Sequence, residues 1–299
     1  MSLTFQQLHP IFAAEVSPVD LRTVRDRESL ASIRAGMDKF AVLVFRNQSF
    51  TIQEQLDFAR RLDGSLHTKT GASAIAKNRF GIEAVSDISN VGADGAILAR
   101  DDRKRAFGLG NRLWHTDASF QDPAGRYSML HACVLPPVRA DTQFVDMRAA
   151  YDGLDAVMKQ RLERLSAHHS IAYSRQILGF QLSQDEAGKL EGAVHPMVRM
   201  NPRTKRRSLY IASHANRIIG WPVAESRLLI WELAQQATQP HLVYSHEWRP
   251  GDLVIWDNLA TMHRATEFDD AKYHRELRRV TTLDMPYEFE SAPPAEATV

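Results

Sequence analysis

Strand-like runs crowd the chain after residue 110 without regular helices between them, and that order leaves few folds open. The runs are "RYSMLHACVL", "DTQFVDM", "RRSLYIASH", "LVYSHEWRPGDLVIWDN" and "LRRVTTLDM". Parallel strands need a long crossover, usually a helix, between neighbours. The order therefore points to an antiparallel sandwich or barrel with helices outside it, a mainly β fold. Inside the fourth run, "RPGD" reads as the turn of a hairpin. Upstream, "FAVLVFRN" (40–47) reads as a buried strand. "TIQEQLDFARRLDG" (51–64) reads as a helix, with Thr51 and Glu54 at capping-box spacing and Gly64 as its stop. A second helix is expected over 148–165, with Leu154, Val157, Met158, Leu162 and Leu165 on one stripe. A third follows Pro222, which suits a first helical position, through "VAESRLLIWELAQQA". Segments 65–86 and 91–112 lack periodicity and read as loops that could cover a site. The tail 288–299 is expected to be disordered, which leaves one domain over 1–287.

Charge and composition narrow the function. Lys plus Arg number 37 against 36 for Asp plus Glu, so the chain offers no electrostatic footprint for nucleic acid or an anionic membrane. No apolar run reaches the roughly 18 residues of a membrane span. The start "MSLTFQQLHPIFAAEV" lacks the basic and apolar regions of a signal peptide, so the expected setting is the cytoplasm. A single cysteine, Cys133, excludes an internal disulfide and a Cys-based metal site, and it reads as a buried structural thiol. The basic run 203–207 reads as a solvated hairpin.

Three elements carry chemistry. In "WHTDASF", His115 and Asp117 are two apart and share a face if that segment is extended. Alone, such a pair is usually a surface turn. In "GDLVIWDNLATMHRA", His263 follows an apolar strand and a Trp-Asp-Asn turn. Two histidines and a carboxylate on one side of a metal leave positions open, the arrangement of iron(II) oxygenases, although zinc hydrolases use the same ligand types. In "HRELRRVTTLD", a strand would put Arg275, Leu277 and Arg279 on one face, with Glu276 and Arg278 on the other. An inward face with two arginines needs anions to meet them, and a guanidinium fork suits carboxylates. The other histidines carry less: His168 and His169 read as a helix end, where the dipole favours cations, and His241 and His246 lack a partner at ligand spacing. Asp257 and Asn258 read as shapers of the turn before His263.

With "LWHTD", "DTQF", "WDN…MHR" and Arg275 in this order, the chain resembles the taurine dioxygenase-type branch of the iron(II)/2-oxoglutarate dioxygenases. "VLVFRNQ", "DISNV", "WHTDASFQ", "DMRAAYD" and "RELRRVTTLD" resemble its 2,4-dichlorophenoxyacetate-cleaving subgroup, over roughly residues 8–285. The resemblance implies a double-stranded β-helix, or jelly roll, flanked by helices. It implies His115, Asp117 and His263 as iron ligands, and Thr142 with Arg275 for the distal carboxylate of 2-oxoglutarate. Arg279 would meet the substrate's acidic group, and Asn90, His214 and Lys69 are candidate substrate contacts. The implied reaction consumes dioxygen and 2-oxoglutarate, with ascorbate as an in vitro aid, and hydroxylates the carbon beside the ether oxygen of an aryloxyacetate. Phenol, glyoxylate, succinate and carbon dioxide result, as in herbicide catabolism. Relatives cleaving aryloxyacetates are expected to carry a lysine shortly after "DISNV", where this chain has Ala96 and Ile97.

The partner expected is a small acidic aromatic molecule, with neither nucleic acid nor membrane, and a homo-oligomer stays open because relatives are commonly dimers or larger. Rival readings are the same chemistry on a taurine-like sulfonate or another small organic acid, and a jelly-roll module that binds metal without turnover. A two-histidine zinc hydrolase would leave Arg275 without a purpose.

Overall fold

Residues 3–69, 75 and 78–285 are described, from a computed structural model. The expected tail at 288–299 lies outside the described residues. The principal sheet has seven strands in the order Thr4–Gln7, Ala14–Ser17, Val42–Phe45, Leu253–Asp257, Gly125–Val134, Glu276–Leu283 and Ser86–Ser89. All neighbours in it are antiparallel except Ala14–Ser17 beside Val42–Phe45. A minor sheet sets Thr142–Asp146 between Val243–His246 and Thr261–Ala265. The mainly β, helix-flanked jelly roll expected from the sequence is what the chain forms.

Val42–Phe45 and 253–256 are continuously apolar because both faces of the principal sheet are covered there. Leu43, Phe45, Met129, Leu253, Ile255 and Val280 pack on one side with residues of the helices Arg27–Phe40 and Ile52–Asp63. Alternate residues of the same strands, Val42, Val44, Leu130, Val254, Trp256 and Leu277, pack on the other side with Phe144 of the minor sheet. A period of two thus serves two cores at once. The helix Ile52–Asp63 has the expected capping box, in which Thr51 and Glu54 bond reciprocally, and Gly64 ends it at φ 77°. The helix Val223–Ala237 is also found, with Pro222 one residue earlier than expected, at the extended N-cap.

Several expectations need correction. The helix over 148–165 is two helices, Met147–Asp152 and Ala156–Leu162, because Asp155 caps the second by accepting from the Met158 amide. The stripe breaks with it, and Val157 is 77% exposed. "RPGD" is no hairpin turn: Val243–His246 belongs to the minor sheet and Leu253–Asp257 to the principal one. The turn carries the chain from sheet to sheet, held where Asp252 Oδ2 accepts from the Arg249 amide at 2.8 Å and from Arg46 at 2.6 Å. In "RRSLYIASH" only Arg207–Leu209 is strand, since the next amides donate to Met197 and Trp114 carbonyls outside any ladder. The segment 91–112 contains a helix, Arg103–Gly108, capped by Asp102. His168 and His169 lie in a strand, Ser166–His169, where His169 is fully buried. The hairpin around 203–207 is present and exposed over 204–207, while Arg203 is only partly exposed and holds Asp38 at 2.8 Å and the Tyr127 hydroxyl at 2.6 Å. Cys133 is half-buried and free.

Full enclosure of the shared strands should show in stability. Ile255→Ala should cost about 2–5 kcal/mol, while Val157→Ala should change stability by less than about 0.5 kcal/mol. Urea unfolding of the two variants measures both, and equal midpoints would contradict this packing.

Candidate metal centre

Two backbone hydrogen bonds build the site. The His115 amide donates to the His263 carbonyl at 3.0 Å, and the His263 amide donates back at 2.8 Å. This bridge lays the loop after Leu113 against the strand Thr261–Ala265 and brings the two rings to 4.2 Å between centroids. The chain then reverses at Ala118, whose φ is 55°, so Asp117 faces back toward both histidines. Its carboxylate lies 3.8 Å from Nε2 of each, and the three ligand atoms fall within 4.8 Å of one another. All three residues are buried.

Neighbours fix each ligand. His115 Nδ1 donates to the Leu113 carbonyl at 2.8 Å, which leaves Nε2 as the lone-pair nitrogen. His263 stands against Trp256 and Phe144. Asp117 Oδ2 accepts from Ser128 Oγ at 2.7 Å, and Oδ1 accepts from Arg279. Asn258 ties the parts together: its Oδ1 accepts from the Asp117 amide and from Trp256 Nε1, each at 3.0 Å, and its Nδ2 donates to Ser128 Oγ at 3.0 Å. Asp257 accepts from the Leu259 amide and shapes the turn, as expected. Gly125 permits the close approach of the ligand loop, since a Cβ there would meet Thr281 at 2.9 Å and the Asp117 carbonyl at 3.1 Å.

Electrostatics set the protonation a divalent ion needs. Burial lowers His115 to about 4 and His263 well below its ordinary value, so both are neutral at pH 7. Burial pushes the Asp117 carboxyl up, but the Arg279 guanidinium, with the Ser128 hydroxyl bonded to it, holds it below its usual value and it stays ionised. Two neutral imidazoles and an ionised carboxylate, with their ligand atoms within 4.8 Å of one another, fit an iron(II) or similar ion.

A cavity opens beside this cluster, lined among others by Asp117, His214, Asn90, Arg275 and Arg279. Arg275 is buried, its Nε has no partner, and its Nη2 reaches only the Ala140 carbonyl at 3.3 Å. Burial pulls it down to about 10. Asn90 is fully engaged, accepting from the Arg275 amide at 2.8 Å and donating to the Asp270 and Tyr273 carbonyls. Thr142 is buried on the minor sheet, accepts from Trp248 Nε1 at 3.0 Å and does not line the cavity. Lys69 lines a smaller hollow next door with His67 and Arg279. Ala96 and Ile97 do not line the cavity; Lys104 does, paired with Asp87 at 2.8 Å. Sequence reading missed Lys104, Arg175 and the apolar wall of Phe107, Phe120 and Ile171. They come from short helices and turns that carry no periodic signal.

The taurine catabolism dioxygenase TauD, TfdA family model matches residues 4–281. The chain belongs to that family. As a TauD/TfdA-family dioxygenase it is an oxidoreductase whose chemistry depends on 2-oxoglutarate and a metal ion. It is 43% identical over 285 residues to the alpha-ketoglutarate-dependent 2,4-dichlorophenoxyacetate dioxygenase of Cupriavidus pinatubonensis, covering 95% of this chain and 99% of that one. It is 36% identical to the (S)-phenoxypropionate/alpha-ketoglutarate-dioxygenase of Sphingobium herbicidovorans, covering 88% of each. Its fold matches the crystal structure of AAD-2 in complex with Mn(II) and N-oxalylglycine at a TM-score of 0.91 and 39% identity, over 96% of this chain and 99% of that one. No helix among the described residues of this dioxygenase is long and apolar enough to cross a membrane.

Buried neutral histidines should make the metal-free dioxygenase less stable in acid. Burial, with smaller contributions from neighbouring charges, lowers His67 and His115 from 6.5 to about 4 and His169 to about 3. The unfolded chain therefore binds more protons through this range, and stability present above 6.5 is lost as pH falls toward 4. Urea midpoints of metal-free protein should fall steadily between about pH 7 and about pH 5. A midpoint that does not move would show these imidazoles to be charged in the fold.

Proposed function

We propose that this dioxygenase hydroxylates the carbon beside the ether oxygen of an aryloxyacetate such as 2,4-dichlorophenoxyacetate. Phenol and glyoxylate leave as 2-oxoglutarate goes to succinate and carbon dioxide. One observation carries the reading: a single cavity joins the His115, Asp117 and His263 cluster, a buried guanidinium without an acidic partner, and an apolar wall with Phe107, Phe120 and Ile171. Relatives at 43% and 36% identity that act on aryloxy acids support it. A taurine-like sulfonate has no ring for that wall, so the aryl acid is favoured.

His115, Asp117 and His263 hold iron(II). Bound there, the metal supplies dioxygen activation coupled to 2-oxoglutarate decarboxylation. Arg275 pairs with the distal carboxylate of 2-oxoglutarate, which meets a desolvated cation otherwise left without an anion. The family resemblance also assigns Thr142 to that carboxylate: its hydroxyl, outside the cavity lining, accepts from Trp248 and keeps its own proton to donate. Asn90 holds the Arg275 backbone. Arg279, beside Asp117, meets the substrate's acidic group, with Lys69 on its far side and His214 over the ring of His115. The apolar wall seats the aryl ring and excludes water from the reacting carbon.

Protein reconstituted anaerobically with Fe(II), then given 2-oxoglutarate, ascorbate and air, should form succinate in response to 2,4-dichlorophenoxyacetate, with matching phenol. His115→Ala and Asp117→Ala should abolish both products. Succinate that ignores the herbicide would reject the aryloxyacetate, and none with any acid would reject the enzyme. Separately, Arg279→Ala should raise the KM for the acid by roughly tenfold or more and leave that for 2-oxoglutarate nearly unchanged. The opposite pattern would exchange the roles of Arg275 and Arg279.

A further inference from the structure

Six cations line the cavity: Lys104, Arg105, Arg112, Arg175, Arg275 and Arg279. Four have acidic partners. Lys104 holds Asp87 at 2.8 Å, Arg105 holds Asp270 at 2.8 Å, Arg112 holds Glu267 at 3.2 Å, and Arg279 holds Asp117. Among the described residues, Arg175 and Arg275 have no acidic group within ion-pair distance. 2-Oxoglutarate supplies one anion for Arg275, and Arg175 is left over.

Arg175 is built into its place. It is 3% exposed, on the helix Ile171–Gln176, with its guanidinium over the Phe107 ring at 4.7 Å. Its polar contacts are both neutral: Ser174 Oγ at 3.0 Å and Asn111 Oδ1 at 3.3 Å. Its Nε has no partner at all. Gly110 lies flat beneath it, and a Cβ there would stand 2.2 Å from the guanidinium carbon. Ser174 Oγ also meets His214 Nδ1 at 2.9 Å, and the His214 ring sits against that of His115. Arg175 is thus linked through two side chains to the metal cluster, and burial and Arg279 both pull its pKa down, to about 10. A desolvated guanidinium with neutral partners and an open Nε is a receptor for an anion that enters the cavity.

We propose that Arg175 is a specificity-determining residue that pairs with the carboxylate of the aryloxyacetate, jointly with Arg279. A carboxylate has lone pairs enough for two guanidiniums, and one placed between these arginines satisfies the cation that Asp117 does not reach. The inference rests on the aryloxyacetate reading above and adds the residue that selects acids over neutral ring ethers.

The test compares 2,4-dichlorophenoxyacetate with its neutral amide. Binding of each is measured anaerobically by equilibrium dialysis against protein loaded with iron and 2-oxoglutarate, and turnover is measured in air. Wild-type protein should prefer the acid. Arg175→Gln should weaken acid binding by roughly tenfold or more, leave the amide nearly unaffected, and leave the KM for 2-oxoglutarate unchanged. Arg175→Lys should recover part of the preference. Gly110→Ala keeps the charge and displaces it, so it should erode the preference as well, and it serves where Arg175→Gln fails to fold. An Arg175→Gln or Gly110→Ala protein with the wild-type ratio of acid to amide overturns the inference, as does equal loss of both ligands. Wild-type protein that binds and turns over neither compound instead defeats the aryloxyacetate reading, and this inference with it.

Discussion

The paired hydrogen bonds between the His115 and His263 backbones are the contact on which the site depends. They join a loop near the first third of the chain to a strand near its end. Without them His115 would lose its backbone tie to His263, and the turn would hang on the contacts of Thr116 and Asp117 alone. With them, His115 and His263 sit directly opposite one another in an antiparallel β-bridge, and backbone pairing sets the spacing of the two rings. Asn258 then transmits the same rigidity to Asp117 through a backbone amide, and Ser128 on the principal sheet fixes the carboxylate's second oxygen. The metal cluster is therefore held by both sheets, each contributing at least one hydrogen bond to a ligand residue.

Charge is the second organising constraint. Buried cations are tolerated where an acid or a ligand answers them. Around the cavity Asp87, Asp270, Glu267 and Asp117 answer Lys104, Arg105, Arg112 and Arg279, which leaves Arg175 and Arg275 as the two arginines that face a ligand. The same logic explains the state of the metal ligands, where burial keeps the imidazoles neutral and Arg279 keeps the carboxylate charged.

Much of this was legible in the chain. The antiparallel class followed from strand runs without helices between them, and the capping box at Thr51 and Glu54 was read to the residue. The His-X-Asp pair, the distant His263 and the face shared by Arg275, Leu277 and Arg279 could be placed because ligand spacing and strand parity are local properties. What failed was non-local or aperiodic. "RPGD" has the chemistry of a tight turn, but which sheet each flanking strand joins is decided by pairing partners elsewhere: Phe144 for Tyr244 and Val44 for Val254. The apolar stripe of 148–165 hid the Asp155 cap that splits it. Arg175 lies in a six-residue helix with nothing periodic to mark it, and only the tertiary fold discloses that it lacks an acid.

Strands enclosed on both faces also govern where this fold can change. Apolar residues of Leu253–Asp257 and of Tyr127–Ala132 serve either the helix-side core or the core between the sheets, and every residue of these two stretches is buried. Drift there is penalised whatever happens to the substrate. The cavity's far wall is different: Phe107, Ile171 and Arg175 belong to short helices outside both sheets. New substrate ranges can evolve on those helices while the metal-bearing scaffold stays as it is, so the architecture separates the part that must persist from the part free to diversify.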